Sequence, residues 1–127
     1  LMSHIDWMAS LGSLIGARLP QGAAPDSRDR IGNLLGTDLT DTPWIVEQSN
    51  NLSIRTPRWK YIEAFDGSPM ITWGPKIETG YAPQPQLYDM SKSLGETENV
   101  ALENPAVVYD LQNIARRVRA RRGYKGE

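Results

Sequence analysis

Residues 86–105 constrain the fold most, because they combine a strand end, a turn and a helix start in one short stretch. Leu87 and Tyr88 suit the end of a strand, and the polar and glycine residues that follow suit a turn. Asn104 is a favourable N-cap, and Pro105 suits the first helical position, where a missing N–H costs no hydrogen bond. The stretch therefore predicts a strand that is joined by an ordered turn to a helix.

The helix that begins at Pro105 is predicted to run to the neighbourhood of Gly123. Val107, Leu111 and Ile114 recur at steps of three and four residues and form one apolar stripe. The arginines near its end mostly fall on the other side. We therefore expect a long helix that packs on a sheet, with Leu87 and Tyr88 beneath it.

Four earlier segments are rich in aromatic and β-branched residues and are separated by turn-forming residues, which is typical of strands. They are residues 44–46, 52–56, 59–65 and 70–73. Short connections favour an antiparallel meander. Residues 74–85 contain three prolines and are predicted to be a surface loop. The fold class is therefore α+β, with a small antiparallel sheet of about four strands packed by a long C-terminal helix.

One further helix is predicted near the start of the chain, with Ser3 and Asp6 at its N-terminus and Gly16 at its end. A loosely structured linker with at most one helical turn follows over residues 18–41. We expect residues 1–41 to form an edge helix and linker, and residues 42–127 to form the α+β subdomain. The apolar face of the helix is wide enough to need a partner surface outside this chain, so in isolation we expect a flexible helix or a self-associated dimer. Its apolar residues are Ile5, Trp7, Met8, Leu11, Leu14 and Ile15.

Composition excludes several classes of site. The chain has no cysteine, so disulfides, thiolate catalysis and sulfur metal ligands are absent. No apolar run is long enough to predict a membrane span, and residues 1–16 do not have the pattern of a signal peptide. His4 is the one histidine, and we interpret it as a structural residue of the first helical turn. A start at Leu1 inside a helical pattern is typical of a piece of a longer protein.

The C-terminal residues 110–127 carry six basic and two acidic side chains, although the whole chain has a net charge of −1. This allows a nucleic-acid hypothesis, in which the arginines bind phosphates. A solvated helix end is the better interpretation, because the chain has no recognised nucleic-acid motif. We therefore expect no nucleic-acid partner. The arginines are Arg116, Arg117, Arg119, Arg121 and Arg122.

Four pieces of the chain, in the same order, resemble the sulfatase (arylsulfatase) family of the alkaline-phosphatase-like superfamily. Residues 3–6 resemble the start of the last large-domain helix, residues 26–36 the segment after it, and residues 54–62 a strand pair of the small C-terminal subdomain. Pro57 and Arg58 replace the usual glycine of one turn. The fourth piece resembles the closing signature of the family and comprises Leu87, Tyr88, Asp89, Gly95, Glu96, Asn99, Val100 and Ala101.

The resemblance implies the C-terminal portion of a sulfuric ester hydrolase that uses a calcium ion and a formylglycine residue. Formylglycine comes from a cysteine or serine two residues before a proline and four before an arginine, a pattern that this sequence lacks. We therefore expect no catalytic residue, metal ligand or activity in this chain alone. The resemblance implies that the remainder of the catalytic domain is the partner of this chain. It also implies that a sulfate ester is the substrate of the whole protein. A periplasmic or extracellular location is suggested by the resemblance only. Acidic residues cluster in one segment, the predicted linker, but they lack the spacing of an EF-hand, so we interpret this segment as solvated. They are Asp26, Asp29, Asp38 and Asp41.

Trp73, Lys76 and Tyr81 are the candidate substrate-binding residues, because they flank the predicted loop and combine aromatic and cationic groups. Packing against the neighbouring sheet is the other role for Trp73, and we assign Trp44 and Trp59 to the core and not to a binding surface. Two alternatives to the sulfatase interpretation stay open. One is the C-terminal part of a phosphate or phosphonate ester hydrolase of the same superfamily, and the other is an independent binding module with a basic C-terminal helix.

Overall fold

The computed structural model describes residues 1–121, which fall into two compact units, Leu1–Ile45 and the residues from Val46 onward. The predicted helix end near Gly123 lies outside the described residues. So does Arg122, one of the arginines of the basic helix end. The assignment of the first unit to the edge of a catalytic domain stays a prediction.

The first unit contains two helices. A 3₁₀ turn at His4–Asp6 leads into α1, Trp7–Leu14, and α2 spans Ile31–Leu34. The backbone N–H of Ser3 donates to Oδ2 of Asp6 at 3.1 Å, so Asp6 stabilises the helix start as its position predicts. Gly16 has a φ of +67°, the left-handed conformation that ends a helix. Helix α2 supplies the single helical turn that the linker pattern allows.

Polar hydrogen bonds hold α1 within its unit. Asp6 and Ser10 are buried, with exposed fractions of 4% and 0%. Oδ1 of Asp6 accepts the backbone N–H of Arg28 at 3.1 Å. The Ser10 hydroxyl accepts the N–H of Arg30 at 2.8 Å and donates to the Asp6 carbonyl at 2.7 Å. The polar side of the helix therefore faces its own unit.

The second unit contains a four-stranded sheet and one long helix within the described residues. The strands lie in the order β1-β2-β3-β6, and Ile54 of β2, Tyr61 of β3 and Leu87 of β6 are neighbours across it. This confirms the predicted α+β class. The elements are β1 (Ile45–Gln48), β2 (Leu52–Arg55), β3 (Trp59–Ile62), β4 (Met70–Ile71), β5 (Ile77–Glu78), β6 (Gln86–Asp89) and α3 (Pro105–Arg121).

The segment around Met70 is not a strand of this sheet. Strands β4 and β5 pair with each other in a separate two-stranded hairpin, with Ile71 opposite Ile77. Gly74, with a φ of +82°, lies in the turn between them. Strand β6 instead pairs with β3 and takes the edge of the larger sheet. The predicted loop over residues 74–85 is therefore partly a hairpin, because a short local pairing satisfies its backbone groups.

One face of the sheet is buried under α3. The sheet side chains Ile54, Tyr61 and Leu87 have exposed fractions of 0%, 1% and 0%, and the helix contributes buried Leu111 and Ala115. Desolvation on burial, followed by the charge of a neighbouring glutamate, raises the pKa of Tyr61 to about 12. This face is the core of the second unit.

The prediction that Tyr88 also packs under this helix is wrong. Adjacent strand residues point to opposite faces of a sheet, so Leu87 in the core places Tyr88 on the other face. The predicted core tryptophans Trp44 and Trp59 are only partly buried. Among residues 1–121, no helix has both the length and the apolar character that a membrane span requires.

Candidate functional site

The open face of the sheet carries a groove of about 430 Å³. Alternation along β2, β3 and β6 puts polar side chains on this face, opposite the apolar ones under α3. The β4–β5 hairpin and the turn after β6 form its rim. The groove is lined mainly by Glu47, Ser53, Lys60, Glu78, Gln86, Tyr88 and Glu96.

Lys60 lies at the centre of the polar contacts in the groove. Its Nζ donates to Glu96 at 2.7 Å and lies 3.4 Å from Oε2 of Glu47. The Ser53 hydroxyl donates to the same Glu47 oxygen at 3.1 Å. Burial by itself lowers the pKa of Lys60, but the bond to Glu96 and the charge of Glu47 outweigh it and raise the pKa above its ordinary value. Lys60 is therefore a fixed cation between two carboxylates.

Tyr88 and Gln86 form a second fixed group. The Tyr88 hydroxyl donates to Oε1 of Gln86 at 2.6 Å, and Nε2 of Gln86 donates to the carbonyl of Gly80 at 2.7 Å. Burial, followed by the charges of Glu96 and Glu78, raises the pKa of Tyr88. Burial and two nearby carboxylates therefore both disfavour ionisation of this hydroxyl.

The turn after β6 is anchored through Asp89, which is 7% exposed. Arg58 donates to its carboxylate through Nη2 at 2.9 Å and through Nε at 3.3 Å. The Ser91 hydroxyl donates to the other oxygen at 2.6 Å. The Arg58 hydrogen bond first, and then that of Ser91, lower the pKa of Asp89 to about 2. Arg58, where the family resemblance implies glycine, thus joins the β2–β3 turn to the turn after β6.

Asn99 covers the outer edge of β6. Its side-chain oxygen accepts the N–H of Leu87 at 3.0 Å and the N–H of Ala101 at 3.1 Å. The N–H of Val100 donates to the carbonyl of Leu87 at 2.8 Å. These bonds satisfy edge groups that would otherwise need another strand or water. This part of the closing signature therefore orders the chain between β6 and α3.

The three predicted substrate-binding residues do not lie on one element. Trp73 and Lys76 lie in the β4–β5 turn, and both are exposed, Trp73 by 81%. Tyr81 follows the hairpin and packs on Phe65 with ring centroids 4.6 Å apart. Its hydroxyl accepts a hydrogen bond from Asn50 at 2.6 Å. Trp73 and Lys76 are thus accessible to a ligand, whereas Tyr81 also supports the β1–β2 turn.

Sequence reasoning missed the groove. Its central contacts join residues 36 positions apart, as in Lys60 and Glu96, so no local motif reveals them. Strand alternation is the one available signal: once Tyr61 and Leu87 are assigned to the core, Lys60 and Tyr88 must share the other face.

Comparison with known proteins identifies the family. The chain is 43% identical over 123 residues to the N-acetylgalactosamine-6-O-sulfatase of Bacteroides thetaiotaomicron, a match that covers 95% of this chain and 24% of that protein. Human arylsulfatase K is 26% identical over 87% of this chain and 20% of its own length. No protein-family model matches. The chain belongs to the sulfatase family.

A solved structure supports the same relationship. It is described as "Metabolism of multiple glycosaminoglycans by Bacteroides thetaiotaomicron is orchestrated by a versatile core genetic locus" and superposes on this chain with a TM-score of 0.82 at 40% identity. The match covers 91% of this chain and 24% of that one. This chain of the sulfatase family thus spans about a quarter of the length of the relatives that it matches.

The described residues do not fit the two catalytic groups that a sulfatase resemblance implies. Within residues 1–121, no three histidine, cysteine, aspartate or glutamate side chains are grouped so that they could hold a metal ion. The full sequence has no cysteine, and none of its serines stands two residues before a proline.

Proposed function

We propose that this chain is the C-terminal portion of a sulfuric ester hydrolase, which completes the scaffold of the enzyme and forms one wall of its substrate cleft. The nucleophile, the calcium ligands and the acid and base groups would lie in the remainder of the catalytic domain. The chain alone would have no sulfatase activity. Relatives that are about four times longer support this proposal.

The orientation of α1 carries the proposal. The buried residues of α1 are Ser10 and Gly12, whereas its large apolar side chains, those of Trp7, Met8, Leu11 and Leu14, are exposed by 43% to 56%. An exposed apolar patch of this kind is typical of an interface, because burying it removes apolar surface from water. The occupant we propose is the catalytic domain that the longer relatives possess.

The name of one relative supports a proposal on the substrate class. The name of the bacterial relative states that it removes the 6-O-sulfate of N-acetylgalactosamine. We propose a carbohydrate sulfate ester as the substrate of the whole protein, with Trp73 and Lys76 at the rim of the cleft. An exposed indole can stack on a sugar ring, and an ammonium can pair with a sulfate. Tyr81 would position this rim through its contacts with Phe65 and Asn50.

A chimera tests the proposal. The matching quarter of the Bacteroides N-acetylgalactosamine-6-O-sulfatase is replaced by this chain, and hydrolysis of N-acetylgalactosamine 6-sulfate is measured. We expect kcat/KM within about tenfold of the unaltered relative, equivalent to about 1.4 kcal/mol of transition-state stabilisation. A chimera with Leu11→Asp should fail to assemble, whereas Arg117→Asp, at an exposed position of α3, should not.

Two outcomes would contradict the proposal. One is a folded chimera without activity. The other is turnover of a chromogenic aryl sulfate, with added calcium, by this chain alone above a buffer blank. A phosphate or phosphonate ester hydrolase is the alternative within the superfamily, and the same chimera assayed with a phosphate ester distinguishes it.

A further inference from the structure

We propose that the groove on the open face of the sheet binds an uncharged, hydroxyl-bearing pyranose ring of the substrate, and that the sulfate group lies outside it. The inference rests on the proposed function and deepens it, because it names the part of a carbohydrate sulfate that this chain would recognise.

The size and lining of the groove fit a sugar ring. Its volume of about 430 Å³ lies in the range of small-molecule sites. The lining offers hydroxyl, amide, ammonium and carboxylate groups from Ser53, Gln86, Lys60 and Glu47. Sugar hydroxyl groups both donate and accept hydrogen bonds, so they match a mixture of this kind better than a uniformly basic or apolar lining.

The polar groups are fixed before a ligand binds. Lys60 is held by Glu96 and Glu47, and an ammonium has three N–H donors, so the third can reach a ligand. The Tyr88 hydroxyl donates to Gln86 and so presents its oxygen as an acceptor. Groups that are already ordered lose less conformational entropy on binding.

Backbone strain at Glu96 points to the same place. Glu96 has a φ of +51°, a left-handed conformation that costs a non-glycine residue free energy. The strained residue places its carboxylate 2.7 Å from Nζ of Lys60, inside the groove. Strain of this kind is concentrated at ligand sites, where the surrounding contacts maintain it.

Charge decides which part of the substrate fits. The charged residues of the lining are Glu47, Glu78 and Glu96 against Lys60, so carboxylates outnumber cations. The one cation is already paired with two of these carboxylates. A sulfate in the groove would be repelled, because like charges at a few ångströms destabilise each other. An uncharged ring meets no such penalty.

A nuclear magnetic resonance titration of the complete chain tests the proposal. The probes are N-acetylgalactosamine and N-acetylgalactosamine 6-sulfate, added separately to ¹⁵N-labelled protein. We expect both to shift the amides of Ser53, Lys60 and Tyr88, with the sulfated sugar bound no more tightly than the unsulfated one. Absence of groove shifts at saturating concentrations of either sugar, or a clear preference of the groove for the sulfated sugar, would overturn the proposal.

Two variants sharpen the test. Tyr88→Phe should weaken binding of the unsulfated sugar about fivefold, the effect of one lost hydrogen bond. Tyr109→Phe, an exposed tyrosine of α3 away from the groove lining, is the matched control and should leave binding unchanged. Glu96→Gln should improve binding of the sulfated sugar relative to the unsulfated one. Equal affinities of Tyr88→Phe and Tyr109→Phe would contradict the role of the hydroxyl.

The outcome is independent of the chimera, which tests assembly and turnover and not binding by this chain alone.

Discussion

Helices α1 and α3 bury opposite kinds of surface. Helix α3 covers the sheet with apolar residues such as Leu111 and Ala115 and leaves Arg116 and Arg117 exposed. Helix α1 buries Ser10 and leaves most of its large apolar side chains exposed. The second unit therefore contains a core of its own, whereas the first unit is held mainly by polar bonds and leaves apolar surface exposed.

The difference predicts where truncation is costly. Leu87→Ala should destabilise the second unit by about 2–5 kcal/mol, because it removes a side chain that is 0% exposed and leaves a cavity. Leu11→Ala on α1, at a position 43% exposed, should change the free energy of unfolding by only about 0.5 kcal/mol or less in this chain alone. Hydrogen exchange measured in increasing urea, at the amides of β3 and of α1, reports the stability of each unit separately. Similar costs for the two leucines would remove the distinction between the units.

A hydroxyl should matter more than an apolar group on α1. Ser10→Ala leaves the N–H of Arg30 without its acceptor at a buried position and should cost about 1–3 kcal/mol. The exposed Ser13 is the control: its hydroxyl bonds the exposed carboxylate of Asp29 and no buried group depends on it, so Ser13→Ala should cost about 0.5 kcal/mol or less. Hydrogen exchange of the α1 amides reports both. Equal exchange rates in the two variants would show that the buried hydroxyl does not hold the helix.

The second unit also has a polar anchor, and acid should reveal it. Hydrogen bonds from Arg58 and Ser91 hold the pKa of Asp89 at about 2, below its ordinary value of 3.8. A lowered folded-state pKa contributes stability that is present above the unfolded value and is lost as pH falls through the folded value. The second unit should therefore lose stability between about pH 4 and pH 2.

Asp89→Asn tests this acid dependence. The variant should be less stable than the parent chain at pH 7, and the difference should shrink towards pH 2, because the parent loses the charged carboxylate there. Urea midpoints measured from pH 7 to pH 2 give the dependence of stability on pH for the variant and for the parent chain. Asp66→Asn, at an exposed carboxylate, should retain the acid dependence of the parent. Parallel pH profiles for Asp89→Asn and the parent would exclude Asp89 as the source.

Local patterns were sufficient for the elements whose environment is set within a few residues. The stripe that includes Leu111 predicted α3, and the cap at Asp6 predicted the start of the first helix. The width of the apolar face of α1 led to the prediction of a partner surface outside this chain, which stays a prediction, and the large apolar side chains of this face are exposed in the structure. The closing signature begins in β6 and continues into the connection to α3, as the predicted strand, turn and helix start require.

Long-range pairing limited the rest. The edge of the sheet is β6 and not the segment at Met70, because β3 pairs with a strand more than twenty residues away in sequence. The groove depends on Glu47, Lys60 and Glu96, which lie on three separate elements or turns. The burial of Ser10 likewise depends on contact with Arg30. Composition and periodicity describe one segment at a time and contain no information on such contacts.

The smallest expected effect on stability is at the hairpin turn. Trp73 is 81% exposed, so Trp73→Ala should change the free energy of unfolding by about 0.5 kcal/mol or less. Tyr81→Phe loses the hydroxyl that accepts a hydrogen bond from Asn50 and should cost about 1 kcal/mol.

In the active chimera the order of the two variants should reverse, because a residue of the cleft wall binds substrate. Trp73→Ala should raise KM more than Tyr81→Phe, with kcat little changed. Michaelis constants for N-acetylgalactosamine 6-sulfate rank the two variants by their effect on substrate binding, and urea midpoints rank them by their effect on stability. An unchanged KM in Trp73→Ala would exclude the hairpin turn from the cleft wall, while a loss of stability in that variant would assign Trp73 to packing.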